Sequence, residues 1–466
     1  MCLSAALKRA GHEVRLCSPR IRDVEKILKI FPARVVAYSV TTGYHNFYLK
    51  FNDLLKKRNS DIFSIFGGPH VTFAPDFIEG SGSIDAVCRG EGDLALVEFV
   101  KRLECGGAYH LTLNFYVRRG GNIYRNALRD LVDDLDGLPF PDRALVYGPY
   151  RPARENKIKN FMTMRGCLNH CSYCFNDGYN KLYNGKGRIC RRRGVDNVID
   201  EILDVAAEYP LELVYFRDDN FLLFPDWVEE FCRQYRRRIG LPFVCAGRLD
   251  MVTERGAAEL KKADCVSIEA GIEAGNDYIR NEVLKRVMSR AQITNGARIL
   301  HSHGIKILAE NLIGVPGSTI ENELETYSLN KECSVYYCNS SILQPYFGTE
   351  IYDRLKDPGL FNTSIQNIGP EDYLKGRLLL KLKDGKRRER LNKIIAVSGK
   401  LKLPDWLVRL LISLPLKRVY DIIHVVFKGY CGSRLYPFKK NFKERICIFF
   451  QLFTQHHLFT IRDLTK

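Results

Sequence analysis

From residue 158 to residue 350, short apolar runs alternate with longer amphipathic stretches, and this alternation limits the fold more than any other feature. Strands are expected at 160–165, 213–218, 243–249, 265–272, 306–313 and 340–344, with helices at 195–208, 227–238 and 290–303. Parallel neighbours need a crossover of a dozen or more residues, and a helix is the usual one. The pattern therefore builds a parallel sheet covered by helices. Six such units in about 190 residues are too few for a closed eight-fold barrel and suit a partial, open (β/α)6 barrel of TIM-like design.

The same alternation with tighter spacing fills the first 140 residues. Strands are expected at 14–17, 35–40, 62–66 and 85–88, with helices at 2–10, 46–57 and 94–103. This reads as a doubly wound, Rossmann-like α/β domain, in which ligands lie beyond the carboxyl ends of the strands. Thr41-Thr42-Gly43, Gly67-Gly68-Pro69-His70 and Gly90-Glu91-Gly92 fall at those ends. The chain divides into 1–140, a linker at 141–157, the barrel at 158–350 and a helical basic segment at 351–466.

Composition narrows the classes. No run reaches the ~18 apolar residues of a spanning helix. The nearest approach, 446–461, is interrupted by Gln451, Thr454, Gln455, His456 and His457. No basic region followed by an apolar stretch and a cleavage site opens the chain, so no secretory signal is expected. Fifteen cysteines, odd in number and mostly scattered, point to a reducing cytoplasm. Of the net charge of +17, a surplus of 14 lies within 371–466, where 22 Lys and Arg face 8 Asp and Glu. Arguments from basicity therefore concern the tail alone. Leu407, Leu410, Leu411 and Leu414 recur there at helical spacing beside Arg409, Lys417 and Arg418. One reading is peripheral contact with an anionic membrane. The other, favoured by the break at Pro415, is packing against the barrel with a solvated basic face. No module for specific nucleic-acid binding is visible.

The chemistry concentrates in Arg165-Gly166-Cys167-Leu168-Asn169-His170-Cys171-Ser172-Tyr173-Cys174, a C-x3-C-x2-C spacing directly after an expected strand. Three thiolates on one loop can each hold a different iron of a [4Fe–4S] cubane, leaving the fourth iron open. A zinc site or three buried thiols are the alternatives. Structural zinc takes four Cys or His ligands, no second C-x2-C pair follows at a suitable distance, and His170 adjoins Cys171 too closely to close the same tetrahedron easily.

This loop resembles the signature of the radical S-adenosylmethionine superfamily, in which an aromatic residue, here Tyr173, precedes the third cysteine. Leu168 stands where proline is frequent. Phe216-Arg217-Asp218-Asp219-Asn220, Gly271-Ile272-Glu273-Ala274-Gly275, Gly314-Val315-Pro316-Gly317-Ser318-Thr319 and Pro345-Tyr346-Phe347-Gly348-Thr349 resemble the family's later strand-end motifs, in order over 158–350. The resemblance implies that Cys167, Cys171 and Cys174 hold the cluster and that S-adenosylmethionine is cleaved there to a 5′-deoxyadenosyl radical. It places Tyr173 behind the adenine. Asp218 or Asp219 would replace a Gly-Gly-Glu turn that this chain lacks, Arg248 and Glu273 would meet carboxylate and ribose, and Gly314 would let backbone approach the ligand. Plainer accounts exist: a helix cap for one aspartate, ion pairs for Arg248 and Glu273, and a steric turn for Gly314.

Ser39-Val40-Thr41, Gly67-Gly68-Pro69-His70 and Arg89-Gly90-Glu91-Gly92-Asp93 resemble the cobalamin-binding domain fused to one branch of that superfamily. On this resemblance Ser39, Thr41, Gly67, Gly68, Gly90 and Glu91 would contact cobalamin. The Asp-x-His-x-x-Gly pattern of a cobalt-ligating histidine is absent, so His12 and His70 read as surface or turn histidines. The chain opens with a helix where the resemblance expects a preceding strand and loop. In this branch the commonest chemistry is methylation of an unactivated carbon. Cyclisation or another rearrangement, and a non-catalytic iron–sulfur protein, stay open. A reductant such as flavodoxin or ferredoxin is the implied partner. The substrate, whether small molecule, lipid or natural-product precursor, is not legible.

Overall fold

The structure is a computed structural model and describes residues 1–355, 358–362 and 377–435. Its first sheet runs β1 (Val35–Ser39), β2 (Phe63–Gly67), β3 (Ala86–Cys88), β4 (Phe115–Arg119) and β5 (Asn122–Arg125), in that spatial order. The first three strands are parallel, and β4 and β5 form an antiparallel hairpin on β3. Helices Ile21–Ile30, His45–Arg58 and Asp93–Glu104 cover the sheet. Tyr38, Phe51 and Phe66 pack in one core, and Ile65, Phe99 and Phe115 in another. The hairpin is absent from the sequence reading. Its signal is Gly120-Gly121, both at positive φ, which suits the two-residue turns that match strand twist. The expected strand at 14–17 does not form. Among the described residues β1 has no strand on its outer edge, and an apolar run without a ladder has no partners for its backbone groups.

The second sheet begins with β6 (Ile158–Phe161). A two-stranded antiparallel ribbon of β7 (Met164–Arg165) and β8 (Arg191–Arg192) follows. Then come β9 (Leu213–Phe216), β10 (Phe243–Gly247), β11 (Cys265–Glu273), β12 (Lys306–Ile313) and β13 (Tyr337–Ile342). The order β13-β12-β11-β10-β9-β6 is parallel throughout, an open half-barrel. The expected strand at 160–165 splits in two because Asp218 accepts the backbone N–H groups of Thr163 and Met164 at 2.6 and 2.9 Å and turns the chain there. Helices Val195–Glu208, Pro225–Arg238, Glu254–Lys262, Arg290–Ser302 and Ile320–Glu332 connect the strands. Val214, Phe216, Phe231, Ile268, Ile293 and Ile307 form the core between sheet and helices. The alternate strand positions face the concave side.

Helix Gly385–Lys400 closes the β13 edge, with Leu391, Ile394 and Ile395 against Ile313, Cys338 and Ile342. Helices Asp405–Ser413 and Lys417–Leu435 add Val408, Ile412 and Tyr420 to the same core. Their outward side is not simply basic: Trp406, Leu410, Leu414, Val419, Ile422 and Val426 are exposed on it. The 446–461 run lies outside the described residues. Among the described residues no helix is long and apolar enough to cross a membrane.

The two sheets are bolted together beside the cysteine loop. Arg165 on β7 donates to Asp93 at 2.8 and 3.1 Å and to Glu91 at 3.2 Å. Arg191 on β8 donates to the other oxygen of Glu91 at 3.0 Å. Gly90 has φ +67, and a Cβ there would fall on the Tyr183 hydroxyl, which accepts the Glu91 N–H at 3.1 Å.

Candidate active site

The three cysteines leave β7 on one loop that ends at helix Phe175–Leu182. Cys167 and Cys171 are buried and Cys174 is half-buried. Each sulfur has an N–H donor: Asn169 Nδ2 lies 3.1 Å from Cys167, Arg286 Nη1 lies 3.7 Å from Cys171, and the Asn176 backbone donates to Cys174. Burial, opposed by that Asn176 bond and helped by Cys171, Asp219 and Cys167, pushes the Cys174 thiol up to about 12. Thiolates crowded this way repel one another unless iron neutralises them, while N–H···S bonds suit sulfurs carrying cluster charge. Among the described residues no three His, Cys, Asp or Glu side chains converge on one ion position. A cubane asks for sulfurs spread over separate irons. His170 is turned away onto Asp177 at 2.9 Å.

The residues expected around S-adenosylmethionine separate into engaged and available groups. Asp218 is engaged, since it accepts the Thr163 N–H, the Thr163 hydroxyl at 2.9 Å and the Met164 N–H. Burial still lifts its carboxyl to about 6. Asp219 accepts from Asn176 at 2.9 Å and is otherwise exposed beside the loop. Neither aspartate caps the turn before Phe221, where Asn220 holds the cap position. Tyr173 donates to buried Glu273, which sits at φ +66 on the end of β11. Gly314 is engaged: its N–H donates to Glu323 at 2.8 Å, and a Cβ there would strike Leu378.

Arg248 is 4% exposed, grips Asp250 at 2.8 and 3.0 Å and reaches the carbonyls of Arg286 and Val287. Its Nη1 is buried with no partner. A buried guanidinium nitrogen without an acceptor is costly, and a ligand carboxylate or hydroxyl is what satisfies one. Arg286 is the residue that sequence reasoning missed. It lies 115 positions from Cys171, and no local motif links the two.

In the first domain, Ser39 and Thr41 stand exposed at the carboxyl end of β1, and a Cβ on Gly67 would meet nothing closer than 3.8 Å. Gly68 and Gly90 serve the fold instead, for a Cβ on Gly68 would meet the Val40 backbone at 2.8 Å. The Glu91 carboxylate is taken by Arg165, Arg191 and the Val132 N–H, so the geometry gives it the task of joining domains rather than facing cobalamin. His70 is buried, not a surface residue. It stacks on His45 at 4.2 Å and shares a 3.1 Å hydrogen bond with Thr42, and burial pushes its pKa down to about 3.

The concave side of the half-barrel is polar. The Tyr215 hydroxyl donates to Glu269 at 2.5 Å, Arg217 to Glu269 at 3.2 Å, and Asn339 to Glu310 at 2.7 Å. Burial and the neighbouring Glu269 carboxylate push the Glu310 carboxyl well above the usual carboxylate range.

Comparison with known proteins agrees with this arrangement. Residues 161–329 match the radical SAM superfamily and residues 1–100 match the B12 binding domain. An uncharacterised methyltransferase of Pyrococcus horikoshii is 26% identical over 356 residues, covering 75% of this chain and 76% of that one. The cytidylyl-2-hydroxyethylphosphonate methyltransferase of Streptomyces wedmorensis is 22% identical and covers 71% and 68%. An anaerobic magnesium-protoporphyrin IX monomethyl ester cyclase of Rubrivivax gelatinosus is 23% identical and covers 79% and 68%. In fold, the chain is similar to the methyltransferase TsrM from Kitasatospora setae with cobalamin and a [4Fe–4S] cluster bound (TM-score 0.61, 18% identity, 75% and 70% covered). It is also similar to OxsB with aqua-cobalamin and S-adenosylmethionine bound (TM-score 0.62, 16% identity, 95% and 70% covered). The two domains bring a [4Fe–4S] cluster, S-adenosylmethionine and cobalamin as cofactors. The chain belongs to the radical S-adenosylmethionine superfamily, in the branch that carries a B12-binding domain ahead of the barrel.

Proposed function

We propose that this enzyme methylates an unactivated carbon of a polar small molecule. The observation that carries the reading is the three-cysteine loop, with an N–H donor on each sulfur, fastened directly to the B12-binding domain through Glu91 and Asp93. When bound, the cofactors supply a carbon-centred radical and a transferable methyl group. The chain supplies position. Cys167, Cys171 and Cys174 hold the cluster, Tyr173 and Asp219 border S-adenosylmethionine, and Arg248 Nη1 receives its carboxylate. Ser39, Thr41 and Gly67 accommodate cobalamin. Glu269, Glu310, Tyr215 and Asn339 offer hydrogen bonds to a substrate on the concave side. The methyltransferase names of two relatives support methylation, and the cyclase name of a third makes cyclisation the competing outcome.

The test is anaerobic reconstitution with iron, sulfide and hydroxocobalamin, then reduction with S-adenosylmethionine. Formation of 5′-deoxyadenosine and retention of the corrinoid through gel filtration are expected. An intact cluster that releases no 5′-deoxyadenosine would refute the enzyme reading, and loss of the corrinoid the cobalamin one. Arg248→Lys is expected to weaken S-adenosylmethionine affinity by about tenfold or more, in line with the ~1.5–3 kcal/mol of a hydrogen bond to a charged group. Iron content should stay unchanged, and an unaltered Kd by calorimetry would remove Arg248 from the site.

Two partners follow from the same reading. A low-potential electron donor such as flavodoxin or ferredoxin must reduce the cluster. The exposed stripe Trp406, Leu410, Leu414, Val419, Ile422 and Val426, beside exposed Lys417 and Arg418, fits the surface of an anionic bilayer. Co-sedimentation with phosphatidylglycerol vesicles is expected and should fall when Ile422 and Val426 are both changed to Asp. Equal sedimentation of the double variant would discard the membrane contact.

A further inference from the structure

Arg286 is held in place more firmly than an ordinary loop side chain. It lies between Lys285 (φ 52°) and Val287 (φ 50°), both in the left-handed region. For a β-branched residue such as valine that conformation is a strained outlier. Strain of this kind persists only where the surroundings over-determine it, and here they do. The Arg286 N–H donates to the Arg280 carbonyl at 2.9 Å. Arg248 Nη2 holds the carbonyls of Arg286 and Val287 at 3.1 and 3.3 Å. Arg280, fully buried, ties the same loop to β11 by donating to the carbonyls of Met288, Ala274 and Gly275 at 2.8, 2.9 and 3.1 Å. Lys285 is anchored to Glu350 at 2.7 Å.

This framework holds the Arg286 guanidinium between the end of β11 and the cysteine loop, where it also faces the Glu273 carboxylate. Nη2 and Nε donate to the Gly271 carbonyl at 3.0 and 3.3 Å, and Nη1 points to Cys171 Sγ at 3.7 Å. The other two sulfurs receive neutral donors, from Asn169 and from the Asn176 backbone. Among the described residues, Cys171 is the loop sulfur to which a guanidinium is hydrogen-bonded.

We propose that Arg286 sets the reduction potential of the cluster, by placing its charge and an N–H···S bond on Cys171 so that the reduced, more negative state is favoured. Hydrogen bonds to cluster sulfurs and local charge are among the levers that set such potentials. The inference rests on Cys167, Cys171 and Cys174 holding the cluster, a point that the iron and sulfide content of the wild-type protein reports separately.

The test is an EPR-monitored redox titration of the reconstituted full chain without S-adenosylmethionine, so that nucleotide binding does not enter. Arg286→Gln is expected to shift the midpoint to more negative potential. At the wild-type midpoint, the ratio of reduced to oxidised cluster should fall about tenfold, equivalent to ~59 mV for a one-electron couple. Arg286→Lys, which keeps the charge, should recover part of that shift. A Gln variant with full iron content and the wild-type midpoint would overturn the proposal. Should that variant lose its cluster, the wild-type protein grown with 15N-arginine decides. A guanidinium nitrogen coupled to the reduced cluster in pulsed EPR is expected and should vanish in Arg286→Lys, whereas absence of coupling in the wild type overturns the assignment.

Discussion

Cys171→Ala is expected to abolish the cluster and, with it, all reductive cleavage of S-adenosylmethionine. Cys171 is buried, and alanine supplies neither an iron ligand nor an acceptor for the Arg286 donor at 3.7 Å. Two thiolates cannot retain a cubane in which three separate irons need protein sulfur. After anaerobic reconstitution, iron per chain should fall to background and the broad absorption near the blue end of the visible spectrum should be missing. Cys190 provides the control. It is the further cysteine close enough to feel the charge of Cys167 and Asp219, and burial raises its pKa to about 11. Cys190→Ala should keep full iron and turnover. Retention of iron and cleavage by Cys171→Ala, or their loss only in Cys190→Ala, would overturn the ligand assignment.

Glu91→Ala is expected to destabilise the fold strongly. Its carboxylate is met by Arg165 at 3.2 Å and by Arg191 at 2.9 Å, and the Arg191 side chain is 1% exposed. Asp93 keeps a bond to Arg165, but among the described residues Arg191 then retains only the carbonyls of Val132 and Ile189. Removing one partner of a buried ion pair typically costs about 3–5 kcal/mol, because the other charge stays buried without compensation. Urea unfolding should show a midpoint well below wild type, with Glu91→Gln falling between the two. An Ala variant with an unchanged midpoint would show that the network contributes little. The same experiment separates the two roles considered for Glu91. If it faced cobalamin instead, Ala would weaken corrinoid binding and leave unfolding of the cofactor-free chain unaltered.

What the sequence made legible followed from periodicity and local spacing. The barrel strands at 213–218, 243–249, 265–272 and 306–313 lie within a few residues of β9 to β12, and the helix at 195–208 has the bounds found. Buried parallel strands leave an uninterrupted apolar run, which a linear reading detects. The cysteine loop was legible for the same reason, since all three cysteines fall within eight residues. Features made by distant pairs were not legible. The run at 14–17 has the composition of a strand, yet strand formation depends on a neighbour that the run itself does not encode. Asp218 looks like a ligand residue at a strand end, and only its three donors on Thr163 and Met164 show that it shapes the approach to the loop. Arg248 and Arg286 depend on a loop folded back from beyond β11, so their meeting near Cys171 is a product of tertiary structure.

The contacts around Glu91 also bear on how such a chain can be recombined. Two separately recognisable segments invite a crossover between them, near 141–157, with the first domain taken from one relative and the barrel from another. Here that cut would divide Glu91, Gly90 and Asp93 from Arg165, Tyr183 and Arg191. A chimera joined at that cut would inherit half of a lock from each parent. Exchange has to carry the chain through β8, past Arg192, for the donor domain to arrive with its own arginines. The unit of inheritance is therefore the B12-binding domain together with the cysteine loop.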